Sequence, residues 1–393
     1  MKEVVILSAV RTPIGAYLGS LSDIPAPRLG AVAVRAAVER SGVDPKGLDE
    51  CLMGNVLSGG LGQAPARQAA LFAALPAAVR CTTLNRVCGS GLKTVMWGAQ
   101  MLQTGDVDAV VAGGMESMSG APYLLPKARK GYRMGHDKVI DLMVHDGLWD
   151  VYNNFHMGNA AELCAKEKDI SRADQDCFAK QSYERALLAA ESGWFMDEMV
   201  PVEVPGKKGQ VSAFAADEEP VRARLDKFGE LRPVFSSSGT ITAANASSLS
   251  DGAAAMVLTT SEQAKKWGAK PIARVVAQAS HAQQPEWFTT APVGAIEKLL
   301  QRAHLRPGDV DLYEINEAFA VVALACIRDL RLDESKVNIH GGAIALGHPL
   351  GASGTRILTT LIHSLKRTGK RLGVAALCIG GGEASAVLVE SLG

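Results

Sequence analysis

NRVCGSG (residues 85–91) and HPLGASG (348–354) both end in Ser-Gly, and both run into amphipathic stretches, LKTVMWGAQML and TRILTTLIHSL. They lie 263 residues apart. PKGLDECLMGN (45–55) and PGDVDLYEINE (307–317) pair at an offset of 262, and AGGME (112–116) and IGGGE (379–383) at 267. Three matches in the same order, with offsets drifting by only five residues, mark two copies of one unit. Each copy alternates short β-branched runs (VVILSAV and DAVVAGG; GVAALCIG and SAVLVE) with Ala-rich helical periodicity such as RLGAVAVRAAVER (28–40). That alternation predicts a layered α/β architecture. Residues 119–248 differ in character: they carry the basic stretch KARKGYRMGHDK, aromatics, and the Ser/Gly/Thr-rich SSSGTITAANASSLSDGAA. They are read as an inserted loop or lid domain. The expected division is an N-terminal half, 1–118, completed by 249–270; the insertion, 119–248; and a C-terminal half, 271–393.

The 393 residues suffice for two or three domains and a large core. Forty-one basic and forty-one acidic side chains balance to zero formal charge, which argues against a nucleic-acid or membrane-surface partner. Apolar runs such as AVVALACI (320–327) fall well below the ~20 residues of a membrane helix. MKEVVILSAV opens in a strand pattern without a basic leader or cleavage site, so the expected location is the cytoplasm. The seven cysteines (51, 81, 88, 164, 177, 326 and 378) are odd in number and scattered, which does not suggest a disulfide framework. Without CxxC, HxxxH or HExxH spacing, no metal is expected.

A pseudo-twofold pair can turn equivalent loops toward each other, so one cleft could gather Cys88, His348 and Cys378. Cys88 precedes Gly-Ser-Gly and an apparent helix start, where positive potential favours a thiolate; its bland alternative is a small buried hydrophobe. His348 lies in GGAIALGHPLGASG (341–354), whose glycines and Pro349 suggest a rigid loop able to hold an imidazole against a thiol. A dinucleotide loop is the rival reading, but the glycines do not fit GxGxxG after a strand and no GK[ST] is present. Cys378 ends an apolar run before Ile-Gly-Gly-Gly, whose backbone N–H groups suit an oxyanion hole; the alternative is a core thiol at a strand end. Asn316 in EINEAFA is either a helix cap or an amide that orients water or a carbonyl.

Taken together, NRVCGSG, GGMESMS, HMG (156–158), NEAFA (316–320), GGAIALGHPLGASG and CIGGGE, in this order and at these separations, resemble the thiolase family over essentially the whole chain. The resemblance implies two halves in a five-layered αβαβα core, a loop domain over the site, and a homotetramer of paired dimers. It implies Cys88 as the nucleophile that stores an acyl group as a thioester, and His348 as its activator. His348 would also bind a thioester oxygen together with a water held by Asn316. Cys378 would be the base at the α-carbon, and the N–H groups of Cys88 and Gly380 the second oxyanion hole. These roles suit a Claisen step, which needs an acyl carrier, a separate carbon-acid base, and donors for each oxyanion.

The substrates implied are coenzyme A thioesters, with no further cofactor: acetyl-CoA, acetoacetyl-CoA and CoA. Leu148, His156, Met157, Phe235, Ala243, Ser247, Ala318 and Phe319 match the family's pantetheine tunnel. Arg222 matches an adenine contact, in a connection, VRARLDKFGELRP (221–233), shorter than the family's usual one. Met157 after His156 resembles the short-chain, biosynthetic branch. Ser248 stands where the family commonly has glycine, and Phe288 where short-chain members often have a Met-Gly run. The rivals are a decarboxylating synthase of the same superfamily, which would lack Cys378 before a GGG turn; a degradative thiolase of broader chain length; and a catalytically silent binding protein, which would not need all four reactive residues.

Overall fold

The computed structural model describes residues 2–206 and 209–393. Nine strands carry the architecture: β1 (Val4–Arg11), β2 (Glu50–Gly54), β3 (Arg80–Leu84), β4 (Ala109–Ser117), β5 (Ser250–Thr260), β6 (Ala273–Ala282), β7 (Leu312–Ile315), β8 (Leu372–Ile379) and β9 (Glu383–Ser391). Their spatial order is β7-β8-β9-β6-β1-β5-β4-β2-β3, with the short strand Gly15–Ala16 beside β5.

The repeat is visible in this order. Outward from the central seam, one copy reads β1-β5-β4-β2 and the other β6-β9-β8-β7, with β3 as an extra edge strand. The directions repeat too: β2 runs parallel to β4 as β7 does to β8, the edge strand β3 is parallel to β2, and the other pairs are antiparallel. Even an irregularity recurs, a register shift at Ile6/Ser8 in one copy and at Val275/Ala277 in the other. The two halves are not separate sheets. Three antiparallel residue pairs, Val4–Val275, Val5–Arg274 and Ile6–Ala273, join them edge to edge.

Helices α1 (Ala26–Ser41), α2 (Ser90–Thr104), α3 (Ala291–Ala303) and α4 (Leu350–Thr368) supply the layers. α2 and α4 pack on each other between the two halves; α1 covers the outer face of the first half and α3 that of the second. This is the five-layered αβαβα order. Strands covered on both faces cannot alternate polar and apolar side chains, and β1, β4 and β5 are accordingly buried at every residue. α4 is buried over nearly its whole circumference, which accounts for its small residues and internal Thr and Ser side chains.

Glycines set how closely the central helices approach. A Cβ on Gly354 would collide with the backbone of Leu92, and one on Gly114 with the carbonyl of Gly351. Gly91 and Gly354, the last residues of the two repeated motifs, therefore sit where α2 and α4 begin side by side.

The segment 119–248 contains more regular structure than a loop. Its helices Met157–Glu167 and Arg172–Glu191 pack on Ala320–Leu330, and the second also on Ala343–Leu346. Ser171 caps the longer helix in a reciprocal box with Asp174.

Candidate active site

Cys88 lies between the end of β3 and the start of α2. The residue before it, Val87, has φ 46°, a left-handed conformation that is strained for a β-branched side chain. The Val87 N–H donates to Asn85 Oδ1 at 2.9 Å, and Ser90 Oγ donates to the Val87 carbonyl at 2.6 Å. This turn aims the half-buried Cys88 into a cavity of about 590 Å³.

Around Cys88 Sγ converge two backbone donors, the N–H groups of Gly380 and of Cys88 itself. Burial nevertheless pushes the thiol up to about 12, with the charge of Glu116 adding to the rise. The helix-start setting predicted thiolate character; in the resting site desolvation outweighs it and Cys88 is a neutral thiol.

His348 is buried on the far side of the seam, just before α4. Ser353 Oγ donates to the Pro349 carbonyl at 2.9 Å and lies 2.6 Å from His348 Nδ1. A hydroxyl has one proton to give, so Nδ1 carries a hydrogen and Nε2 keeps the lone pair. Asn316 Nδ2 lies 3.5 Å from that Nε2. Burial, then the field of Arg356, drives the imidazole down to about 3, so His348 is neutral.

Cys378, near the end of β8, and Asn316, just after β7, are fully buried behind the cavity wall. Burial first, and the neighbouring Cys88 next, hold the Cys378 thiol well above its ordinary range. Asn316 caps no helix: the helix Ala320–Leu330 starts after Phe319. Its Oδ1 has no partner among the described residues.

The cavity wall gathers Leu148, His156, Met157, Phe235, Ala243 and Ser247, along with Phe288, Ala318, Phe319 and Gly380. His156 caps the helix that follows it, its Nδ1 accepting from Gly158 N at 3.0 Å, which leaves Nε2–H as a donor. Its ring stacks on Phe235 at 4.7 Å; Phe319 meets Phe235 at 6.4 Å and Phe288 at 6.3 Å, both edge to face. Ser247 is tied to the Ala318 carbonyl through both its N–H and its hydroxyl, each at 3.0 Å. Ser248 lines the same cavity, and its carbonyl accepts from His348 N at 3.1 Å. Arg222 stands apart. It is exposed on the turn Pro220–Arg222 and does not line this cavity.

Sequence reasoning passed over Glu116. Its carboxylate is wholly buried and accepts from Asn55 Nδ2 (2.8 Å), Val56 N (3.0 Å), Leu57 N (3.1 Å) and Gly351 N (2.8 Å). Val56, Leu57 and Leu350 pack together against Cys88, so this carboxylate ties down the wall behind the thiol. The repeat held the signal, because AGGME and IGGGE both end in Glu.

A neutral thiol, a neutral imidazole with a free Nε2, a second thiol behind them and two convergent N–H donors can carry acyl transfer followed by proton abstraction next to a carbonyl. Among the described residues no group of three or more His, Cys, Asp or Glu is arranged to hold a metal ion, and no helix is long and apolar enough to cross a membrane.

Comparison with known proteins agrees with this chemistry. Residues 4–262 match the family described as thiolase, N-terminal domain, and 269–391 that described as thiolase, C-terminal domain. An acetyl-CoA acetyltransferase of Cupriavidus necator is 52% identical over 99% of this chain and 100% of its own length. One of Schizosaccharomyces pombe is 50% identical over 99% and 98%. The crystal structure of the Bacillus anthracis acetyl-CoA acetyltransferase superposes with a TM-score of 0.97 at 39% identity, covering 100% of this chain and 99% of that one. A thiolase from Ascaris suum in complex with coenzyme A gives 0.95 at 44% identity, covering all of both chains. With both halves matched and relatives aligned from end to end, the chain belongs to the thiolase family.

Proposed function

We propose that the protein is an acetyl-CoA C-acetyltransferase that joins two molecules of acetyl-CoA into acetoacetyl-CoA and CoA, reversibly, through an acetyl thioester on Cys88. The observation that carries this reading is the single cavity wall that holds Cys88, His348 and Gly380, with the buried Cys378 two residues before Gly380. The full-length relatives named acetyl-CoA acetyltransferase support it.

Both Cys88 and His348 are neutral at rest, so the thiol proton moves to His348 Nε2 as Sγ attacks the acetyl carbonyl. Nδ1–H, fixed on Ser353, keeps Nε2 available. The oxyanion of the tetrahedral intermediate lies between the two N–H groups, and the departing CoA sulfur takes the proton back. Cys378 then passes its thiol proton to the freed His348 Nε2, and as the thiolate takes an α-proton from a second acetyl-CoA. Its enolate oxygen is held by His348 and by a water on Asn316, its carbon attacks the acetyl group, and Cys88 leaves as the thiolate. That thiolate takes its proton from His348 Nε2 while Cys378 keeps the α-proton, which closes the cycle.

Leu148, His156, Met157, Phe235, Ala243, Ser247, Ala318 and Phe319 form the proposed pantetheine wall, and Arg222 the outer contact to the nucleotide end. Met157 Sδ approaches the Gly380 backbone, and Phe288 shares a core cluster with Met157 and Cys378. These two side chains close the acyl end, which favours acetoacetyl-CoA over long chains. In this reading 119–248 serves as the lid between halves 1–118, completed by 249–270, and 271–393. A reducing, cytoplasmic setting fits seven free cysteines. Assembly into a homotetramer fits the exposed apolar side chains Tyr123, Leu125, Tyr132, Met134 and Val139, which fall within one short stretch of the chain.

Thiolysis of 3-ketoacyl-CoA esters of increasing length tests the assignment. Acetoacetyl-CoA should exceed 3-ketohexadecanoyl-CoA in kcat/KM at least about tenfold, since overpacking costs ~1–3 kcal/mol. Equal rates would point to a broad-chain thiolase, and no thiolysis at any length would defeat the reading altogether.

A further inference from the structure

The two reactive turns come from different copies of the repeat, and one ion pair joins them. Arg86, two residues before Cys88, directs Nε to Glu383 Oε2 at 2.9 Å, and Glu383 closes the Gly380–Gly382 turn. The same guanidinium reaches Ser280 Oγ at 3.2 Å and Ser385 Oγ at 3.5 Å, so a side chain of the first half is gripped by three of the second. The pair is only partly exposed, 21% for Arg86 and 37% for Glu383.

Both turns need restraint. Val87, between Arg86 and Cys88, is held in a strained left-handed conformation, and Gly381 and Gly382 have φ of 91° and 82°. Glycine backbone of that kind has many alternatives open to it, and strained residues persist only when their surroundings over-determine them. A carboxylate and guanidinium with neighbouring hydroxyls supply such a restraint with fixed geometry. The glutamates of the two repeats act reciprocally: Glu116 of the first copy grips Gly351 in the histidine loop of the second, and Glu383 of the second grips Arg86 in the cysteine loop of the first.

We propose that Arg86 and Glu383 are positioning residues that set the separation between Cys88 and the Cys378–Gly380 turn, and so govern turnover rather than substrate binding. The proposal rests on the thiolase reading above. Misplacement of about 1 Å at reacting atoms can cost on the order of a hundredfold in rate. Lys93 lies near both charges: burial first, then Arg86, disfavours its ammonium, while Glu383 favours it. Loss of Arg86 leaves Lys93 able to replace part of the cation. Loss of Glu383 leaves two cations facing each other, and it is the more damaging change.

The test measures acetoacetyl-CoA thiolysis by wild type, Glu383→Gln, Arg86→Gln, the double variant, and the charge exchange Arg86→Glu with Glu383→Arg. The expected result is a fall in kcat of about tenfold for Glu383→Gln and about threefold to fivefold for Arg86→Gln, with KM for CoA within about twofold. The double variant should be no worse than Glu383→Gln alone, and the exchange should regain at least about threefold over the worse of its single changes, Arg86→Glu or Glu383→Arg. Thermal midpoints are read in parallel, since a purely structural pair would lower them without splitting kcat from KM. An active wild type whose single variants keep kcat within about twofold, or lose kcat additively without rescue, overturns the positioning role alone. An inactive wild type overturns the underlying reading instead.

Discussion

Replacing Phe288 by alanine tests how the acyl end of the cavity is closed. The side chain is 3% exposed and meets Phe319 edge to face at 6.3 Å. In a closed core, Phe→Ala costs ~3–5 kcal/mol, part of it for the void left behind. Here one side of the ring borders the substrate cavity, so the released space joins that cavity, and the cost to folding should lie near the low end, ~3 kcal/mol. A longer acyl chain can use the space. Room for about three methylenes, at ~0.8 kcal/mol each, returns ~2.4 kcal/mol, or about fiftyfold in kcat/KM. Some of that is lost to ordering the chain, so the expected rise in the ratio of 3-ketooctanoyl-CoA to acetoacetyl-CoA thiolysis is about tenfold to fiftyfold. The assay is initial-rate thiolysis of both esters by wild type and variant at saturating CoA. An unchanged ratio, or equal loss on both esters in a folded variant, would refute the placement of Phe288 at the acyl end.

Other outcomes follow from the same geometry. Gly354→Ala would drive a methyl into the backbone of Leu92 on the facing helix; overpacking there should destabilise by at least ~1–3 kcal/mol, and an unchanged thermal midpoint would show that the helices do not meet as described. Cys378→Ser should still acquire an acetyl group on Cys88, while carbon–carbon bond formation falls roughly 10²–10⁴-fold; equal loss of both half-reactions would remove Cys378 from the role of base. Burial raises Glu116 from 4.5 to about 7, so the folded state holds a proton that the unfolded chain gives up between those values. Its contribution is therefore most favourable below pH 4.5 and is lost as pH rises through about 7, by ~3 kcal/mol. Glu314, Glu317 and Asp251 shift the same way, so the readout is a comparison of urea midpoints for wild type and Glu116→Gln at pH 5 and pH 8. The variant should show the smaller decline, and identical declines would contradict the assignment.

What was legible in the chain was whatever short motifs carry. The repeat could be read because Ser-Gly at 90–91 and 353–354 falls near the N-terminal ends of α2 and α4, which pack closely, and close packing restricts residue choice to the smallest. The repeat makes the two halves alike, whereas the strand order itself comes from the structure. Less legible were features made by distant partners. Glu116 binds backbone N–H groups of Val56, Leu57 and Gly351, and a backbone donor leaves no mark in composition. The environment of Cys88 is hard to read for a related reason. A helix start is a local property, whereas burial beneath Leu57, Met143 and Leu350 comes from three separate segments. The helices within 119–248 were hidden by basic and Ser-rich stretches on either side, although Ser171 and Asp174 form a readable capping box. Arg222 rests on the family resemblance alone: its side chain is exposed and does not line the cavity, and it meets the wall only through its N–H, which donates to the Glu219 carbonyl at 3.0 Å.

The central claim is that Cys88 stores the acyl group. Brief exposure of the full chain to acetyl-CoA, a rapid acid quench and peptide mass spectrometry measure it directly. The account predicts one acetyl group on the peptide containing Cys88, absent in Cys88→Ser and retained in Cys378→Ser. An acetyl group found instead on Cys378 or Cys164, with the Cys88 peptide unmodified, would contradict it.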